Sequence, residues 1–263
     1  MLNTYKAIDI IGVISEYSGR TKPWIVLAET ANGIEAFVVK LFTTNQIETS
    51  NSLLNEVIGN ALAREFDLNV PSMALIDIPE SLVLKKSAEV QHQFYESDER
   101  LKFASIQLSN VKTALKELPK TFYKKRLELD TLYAFDNMIR NADRGQIKTN
   151  LLINKEAAFL IDHELAFNIS EISELKNTIL VPNEKFSKYH LFYSFLKKGK
   201  DKDQYFEEFR EHLNHLNLSK LSSYYNCLER EGFNSNSNMI NTWLLEIQRN
   251  SNIFVNNLRI TLK

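Results

Sequence analysis

Apolar positions fall at first in short runs separated by polar turns, and only later take up helical spacing. Residues 4–14 are mostly apolar, and beyond the polar stretch from Glu16 to Pro23 the run Trp24-Ile-Val-Leu-Ala begins, which predicts strand, turn and strand. Asn32-Gly33 is a strong hairpin signal ahead of residues 34–41, so a third antiparallel strand is expected there. Side chains alternate along it: Ala36, Val38 and Lys40 share one face, while Phe37, Val39 and Leu41 share the other. Ser50, Asn51 or Ser52 can cap the next element, in which Leu54, Val57, Ile58, Ala61, Leu62 and Phe66 recur near a 3.6 period, predicting a helix over 53–66.

Residues 73–78 and 81–84, parted by Pro79, read as two more strands, for a sheet of about five, and residues 84–87 as the connection out of it. The polar segment 89–102 has no period and predicts a loop or insert. Helices are expected over 111–118 and 121–140, with Pro119 between them. The second carries Leu127, Leu129, Leu132, Tyr133, Phe135, Met138 and Ile139 around most of its surface and should be buried, with Asp136 anchoring the loop beyond it. A hairpin follows over about 150–162, and then helices over 189–197, 204–213, 219–229 and 238–258, with Asn234-Ser-Asn-Ser-Asn as a polar linker.

With 263 residues, 44% of them apolar, the chain can form one large or two small, closely joined domains. Its 32 basic and 33 acidic residues are well mixed, for a net charge of -1, which argues against electrostatic capture of nucleic acid or an anionic membrane and for a specific partner. One cysteine, Cys227, allows no internal disulfide and fits a reducing compartment. No stretch reaches the length of a membrane span and the amino terminus lacks a leader pattern, so a cytoplasmic protein is expected. The 7 glycines form neither a G-x-G-x-x-G nor a Walker A signature, and the 5 histidines show no zinc spacing.

Candidate chemistry concentrates in Asn141-Ala-Asp143-Arg144-Gly-Gln-Ile-Lys148-Thr-Asn150-Leu-Leu-Ile and Ala158-Phe-Leu-Ile-Asp162-His163-Glu164-Leu-Ala-Phe167. Magnesium binds triphosphates through hard oxygen ligands, which Asn150 and Asp162 can supply. In phosphoryl transfer a further Asp, in the loop before the Asn, orients the incoming hydroxyl; Asp143 has that place. Lys40, ending Val-Val-Lys two strands after a polar turn, stands where kinase-like folds put the lysine that holds the triphosphate of ATP and pairs with a helix Glu. Glu56 is its expected partner, because its same-face neighbours Gly59, Asn60 and Ala63 are small. The turn containing Ser18, Gly19 and Arg20 is the segment that would cover the phosphates.

The order of Asp, Asn, Leu-Leu strand, turn and apolar strand ending in Asp is a kinase layout, without His-Arg-Asp or Asp-Phe-Gly. Its wording resembles the HipA-like kinases of bacteria at Asn141, Asp143, Arg144, Asn150, Leu151, Leu152, Ile161, Asp162, His163 and Phe167, and again at Gly19-Arg-Thr-x-Pro23. The resemblance implies an α+β, bilobal protein-kinase-like fold: an N-lobe over 1–86 with an antiparallel sheet and one helix, and a mainly helical C-lobe over 87–263. It implies ATP- and Mg2+-dependent transfer to serine or threonine of a protein substrate, as in toxins of the group, with Asp143 catalytic and Arg144 either neutralising transferred charge or bracing the loop. A separately encoded antitoxin or regulatory subunit is a further expectation. The pattern departs at one point: kinase-like loops put the metal Asn five residues after the Asp, where Lys148 stands. Either the loop is two residues longer, which Asn150 directly before Leu-Leu favours, or Lys148 has replaced a ligand. The alternatives to a protein kinase are a pseudokinase that binds nucleotide or a partner, and a kinase for a lipid or small metabolite.

Overall fold

Five strands form where alternation is strongest: β1 (Asn3–Val13), β2 (Trp24–Thr30), β3 (Gly33–Lys40), β4 (Met73–Asp77) and β5 (Lys102–Ile106). The structure is a computed structural model that describes residues 2–14, 22–168 and 178–263. The strands close into a barrel in the order β1-β2-β3-β5-β4. The expected sheet was antiparallel throughout, but the barrel closes through a parallel pair, with Asn3 opposite Ala74 and Lys6 opposite Asp77. Trp24 faces Val39 and Val26 faces Phe37, and these side chains join Ala7, Ile10, Ala28, Leu41, Ala74, Ile76 and Ala104 in one buried apolar cluster. Burying each larger one contributes about 1.5–3 kcal/mol.

Residues 81–84 do not form the fifth strand. They lie in the short helix α3 (Glu80–Val83), because Pro79 sets an extended entry, at φ -61 and ψ 132, and Glu80 supplies the acidic first turn that helix N-termini favour. The fifth strand is β5, which pairs with both β3 and β4 and opens on the buried Lys102. The expected loop over 89–102 contains another helix, α4 (Ala88–Glu96), capped by the Ser87 hydroxyl. Its Gln93 accepts a 2.8 Å hydrogen bond from Trp24 Nε1, and Phe94 stacks on the same indole.

Contacts divide the chain into two compact units, the first comprising Met1–Val57, Pro71–Ser109 and Ser222–Ser235. The expected boundary after residue 86 thus falls inside this unit, which holds α1 (Thr44–Glu48) as well as α3 and α4. Its latest segment is tied in by Arg100, which donates to Gly232 O at 2.6 Å and covers the Phe233 ring.

The second unit comprises Ile58–Val70, Asn110–Leu221 and Asn236–Lys263, so the division falls within helix α2 (Ser52–Glu65), the element expected over 53–66. The expected helix over 121–140 is two, α5 (Lys120–Lys124) and α6 (Leu129–Met138). Between them Arg126 donates to the carbonyls of Asn154 and Lys155. Residues 111–118 are not helical either: β6 (Lys112–Thr113) pairs with β7 (Leu151–Ile153), which pairs with β8 (Ala158–Leu160). Here a tertiary partner outweighs local helical spacing. Around α6, Phe66 packs on Phe135 and Phe209, and Trp243 Nε1 donates to Met138 O at 2.8 Å. The helix expected over 238–258 is broken at Asn250 into α11 (Ser237–Arg249) and α12 (Ser251–Thr261). In this unit they follow α7 (Glu184–Tyr189), α8 (Tyr193–Lys197) and α9 (Glu207–His215), while α10 (Ser222–Arg230) belongs to the first unit. Among the described residues, no helix is long and apolar enough to cross a membrane.

Candidate active site

In the first unit Lys40 closes β3 opposite Phe103, and its Nζ donates to Glu56 Oε1 on α2. Both side chains are largely withdrawn from solvent, at 13% and 3% exposure, so the ammonium is held by the carboxylate more firmly than at an open surface. Lys40 Nζ also lies 5.8 Å from the Phe42 ring centre. Ser18, Gly19 and Arg20 lie outside the described residues.

In the second unit the loop beyond α6 is built on Asp136. Its Oδ1 accepts from Asn141 Nδ2 at 3.0 Å, and its Oδ2 accepts from Arg144 Nε at 2.6 Å and from His190 Nε2 at 3.0 Å. His190 Nδ1 accepts from Phe192 N at 3.1 Å, so the ring proton sits on Nε2, facing the carboxylate. Burial works to raise the Asp136 pKa, but the Arg144 guanidinium and His190 overcome it and hold the carboxyl below its ordinary value. Arg144 is buried; it donates through Nη1 to Asn150 O, and its Nη2 lies 3.4 Å from His163 Nε2. Arginine only donates, so that His163 nitrogen is the acceptor. The next residue is closely covered: a Cβ on Gly145 would sit 1.8 Å from Tyr189 Cε1, so the ring would have to move aside.

The Asp143 amide donates to Asn141 Oδ1 at 3.3 Å, while its carboxylate takes no part in these contacts and is partly exposed. Asn150 Nδ2 donates to its Oδ2 at 2.9 Å and to its main-chain oxygen at 3.1 Å. Asp162 is delivered beyond β8, where Ile161 N donates to Asn150 O at 3.1 Å. Both Asn150 and Asp162 have left-handed backbones, with φ 48 and 65, a conformation that Asn and Asp tolerate better than most residues. Lys148 Nζ lies 2.8 Å from Asp143 Oδ2 and 2.8 Å from Asp162 Oδ2. Burial works to lower the Lys148 pKa, but Asp162 and Asp143 together raise it above the ordinary lysine value. A carboxylate oxygen of Glu164 lies within 4.8 Å of one of Asp162.

The sequence-predicted residues Asp143, Asn150 and Asp162 are therefore neighbours, and Arg144 lies behind them. Asp162 with Glu164 beside it, Asp143 across the Lys148 ammonium, and the Asn150 amide offer hard oxygens of the kind that suits magnesium, so the residues fit that ion. Sequence reasoning assigned no role to Glu164 or His190. Glu164 follows Asp162 by two residues on the same turn, which is a local signal; His190 is 54 residues from Asp136, and nothing local marks it.

A family model described as HipA-like kinase matches residues 8–252. No curated protein matches the chain. Among solved structures, the crystal structure of a Helicobacter pylori proinflammatory kinase, CtkA, is similar, with a TM-score of 0.50 and 12% identity over 90% of this chain and 94% of that chain. At that identity the likeness speaks for fold alone.

Proposed function

Because the chain belongs to the HipA-like kinase family, we propose that it is an ATP- and Mg2+-dependent phosphotransferase of bilobal fold, acting on serine or threonine of a protein acceptor. The observation that carries this reading is the gathering of Asp143, Asn150 and Asp162 at one loop and hairpin. Asp143, held by the Asn150 amide and partly open to solvent, orients the acceptor hydroxyl and takes its proton. Asp162 and Asn150 would hold magnesium: the Asn150 amide nitrogen is turned to Asp143, which leaves its oxygen for a cation. The ion would neutralise charge on the phosphate oxygens. Lys40, steadied by Glu56, holds phosphates, together with the turn containing Ser18, Gly19 and Arg20. Arg144 positions the loop through Asp136 and Asn150, as its burial leaves it facing protein. Such an enzyme would work in the cytoplasm, with a separately encoded antitoxin or regulatory subunit as a further partner.

Incubation with γ-labelled ATP, magnesium and a cell extract should label a protein acceptor or the chain itself. Asp143→Asn should reduce labelling at least a hundredfold, with ATP binding retained, and Asp162→Ala should abolish metal-dependent ATP binding. Undiminished labelling by Asp143→Asn would refute the mechanism.

A second reading is a nucleotide- or partner-binding module without transfer, favoured by the Lys148 ammonium seated between Asp143 and Asp162. ATP raising the melting temperature, with no label on any acceptor, would select it.

A further inference from the structure

Kinase sites of this layout hold two divalent ions, one through the Asp of the second strand and one through the Asn five residues after the catalytic Asp. In this chain Lys148 occupies that fifth position. Its ammonium lies 2.8 Å from both carboxylates, a cation between two acids. The backbone on either side is fastened, which fixes where the side chain starts: Gly145 N donates to Lys148 O at 2.9 Å, and Thr149 Oγ1 donates to Ala114 O at 2.7 Å. The ammonium carries three N–H donors, of which two go to Asp143 and Asp162. The side chain is one-third exposed, so the remaining donor has an open side.

We propose that Lys148 is a resident cation that permanently fills one of the two metal positions of the site, so that the chain loads a single divalent ion and presents the third ammonium N–H to a phosphate oxygen. The proposal rests on the kinase reading for the phosphate and for the count of metal positions, whereas the ammonium between Asp143 and Asp162 stands on its own geometry. One positive charge held on a tether between Asp143 and Asp162 screens their repulsion without any ion from solution, and a second metal would have to expel it.

Manganese alone, without nucleotide, tests this. Lys148→Asn replaces the ammonium by the ligand that kinase-like loops carry, and Lys148→Met replaces it by an uncharged chain of similar length. Lys148→Asn should bind Mn2+ at least tenfold more tightly than the wild type in a titration followed by electron paramagnetic resonance. Both variants should melt lower than the wild type in chelator, and Mn2+ should raise the melting temperature of Lys148→Asn well beyond the rise it gives Lys148→Met or the wild type, which loads one ion only. Equal Mn2+ affinity in wild type and Lys148→Asn, or equal rescue of the two variants, overturns the proposal. If the Mn2+ pattern holds while no phosphate transfer is found, the resident cation stands and the kinase reading falls.

Discussion

Asp136 and Arg144 form an ion pair shut off from solvent on both sides, with Nε 2.6 Å from Oδ2. The same carboxylate also receives His190 and Asn141, so its charge is shared among three donors, and Arg144 hands the constraint on to Asn150. Removing one partner of a buried pair strands the other's charge, which costs about 3–5 kcal/mol. Asp136→Ala should lose that much in urea unfolding, and a loss below about 1 kcal/mol would show that the pair does not brace the loop. The Asp136 carboxyl is depressed in the fold, so its contribution is present above the unfolded pKa of 3.8 and fades as pH falls through the lower folded value.

Lys40 and Glu56 join a strand to a helix, and their pairing is the only anchor for phosphate proposed within described residues of the first unit. Lys40→Met should weaken ATP at least tenfold, read as a lost ATP-induced rise in melting temperature. Glu56→Gln keeps an acceptor but not its charge, so it should fall between the two. An unchanged shift in Lys40→Met would remove Lys40 from the nucleotide site.

Gly145 lies beneath the Tyr189 ring, and a methyl group there fits only if that ring is displaced. Gly145→Ala should destabilise the chain by about 1–3 kcal/mol, the usual range for overpacking. The double variant with Tyr189→Ala should recover much of that loss. Additive losses in the double-mutant cycle would mean that the two residues do not compete for the same space.

Lys102 is buried at the head of β5, its ammonium capped by the carbonyls of Asp98 and Arg100, and burial pushes its pKa down to about 8. A base depressed in the fold binds fewer protons there than in the unfolded chain, so stability rises with pH between about 8 and the unfolded value of 10.5. The full difference is about 3 kcal/mol. Denaturation of wild type and Lys102→Met across that window should show the rise in the first and a flatter curve in the second; parallel curves would contradict the depressed pKa.

The proximity of Asp143, Asn150 and Asp162 was legible because they are close in sequence: they lie on one loop and one hairpin, whose order alone brings them together. The first three strands were legible for a similar reason, since Asn32-Gly33 joins two of them directly. What escaped depends on distant partners. β5 begins with a lysine and gains its place only by pairing with β3 and β4, and β6 is two residues long and forms only against β7. Arg144 was open between transferring charge and bracing the loop, because only Asp136, eight residues away on α6, reveals which way the guanidinium turns. That the Lys148 ammonium reaches both Asp143 and Asp162 could likewise not be read from spacing, because it depends on how the loop folds back on the hairpin.

The parallel seam between β1 and β4 also bears on how this chain meets its neighbours. A sheet that ends in a free strand offers main-chain donors and acceptors that another chain can template upon, whereas a closed barrel has spent them on itself. In the smaller sheet, β8 is three residues long and its Leu160 amide is already given to Asn69 O. Strand exchange and fibril growth from the barrel would thus have to begin by opening it. Any recognition at its wall is left to side chains such as Ile8, Ile11 and Ile34, which stand exposed on β1 and β3.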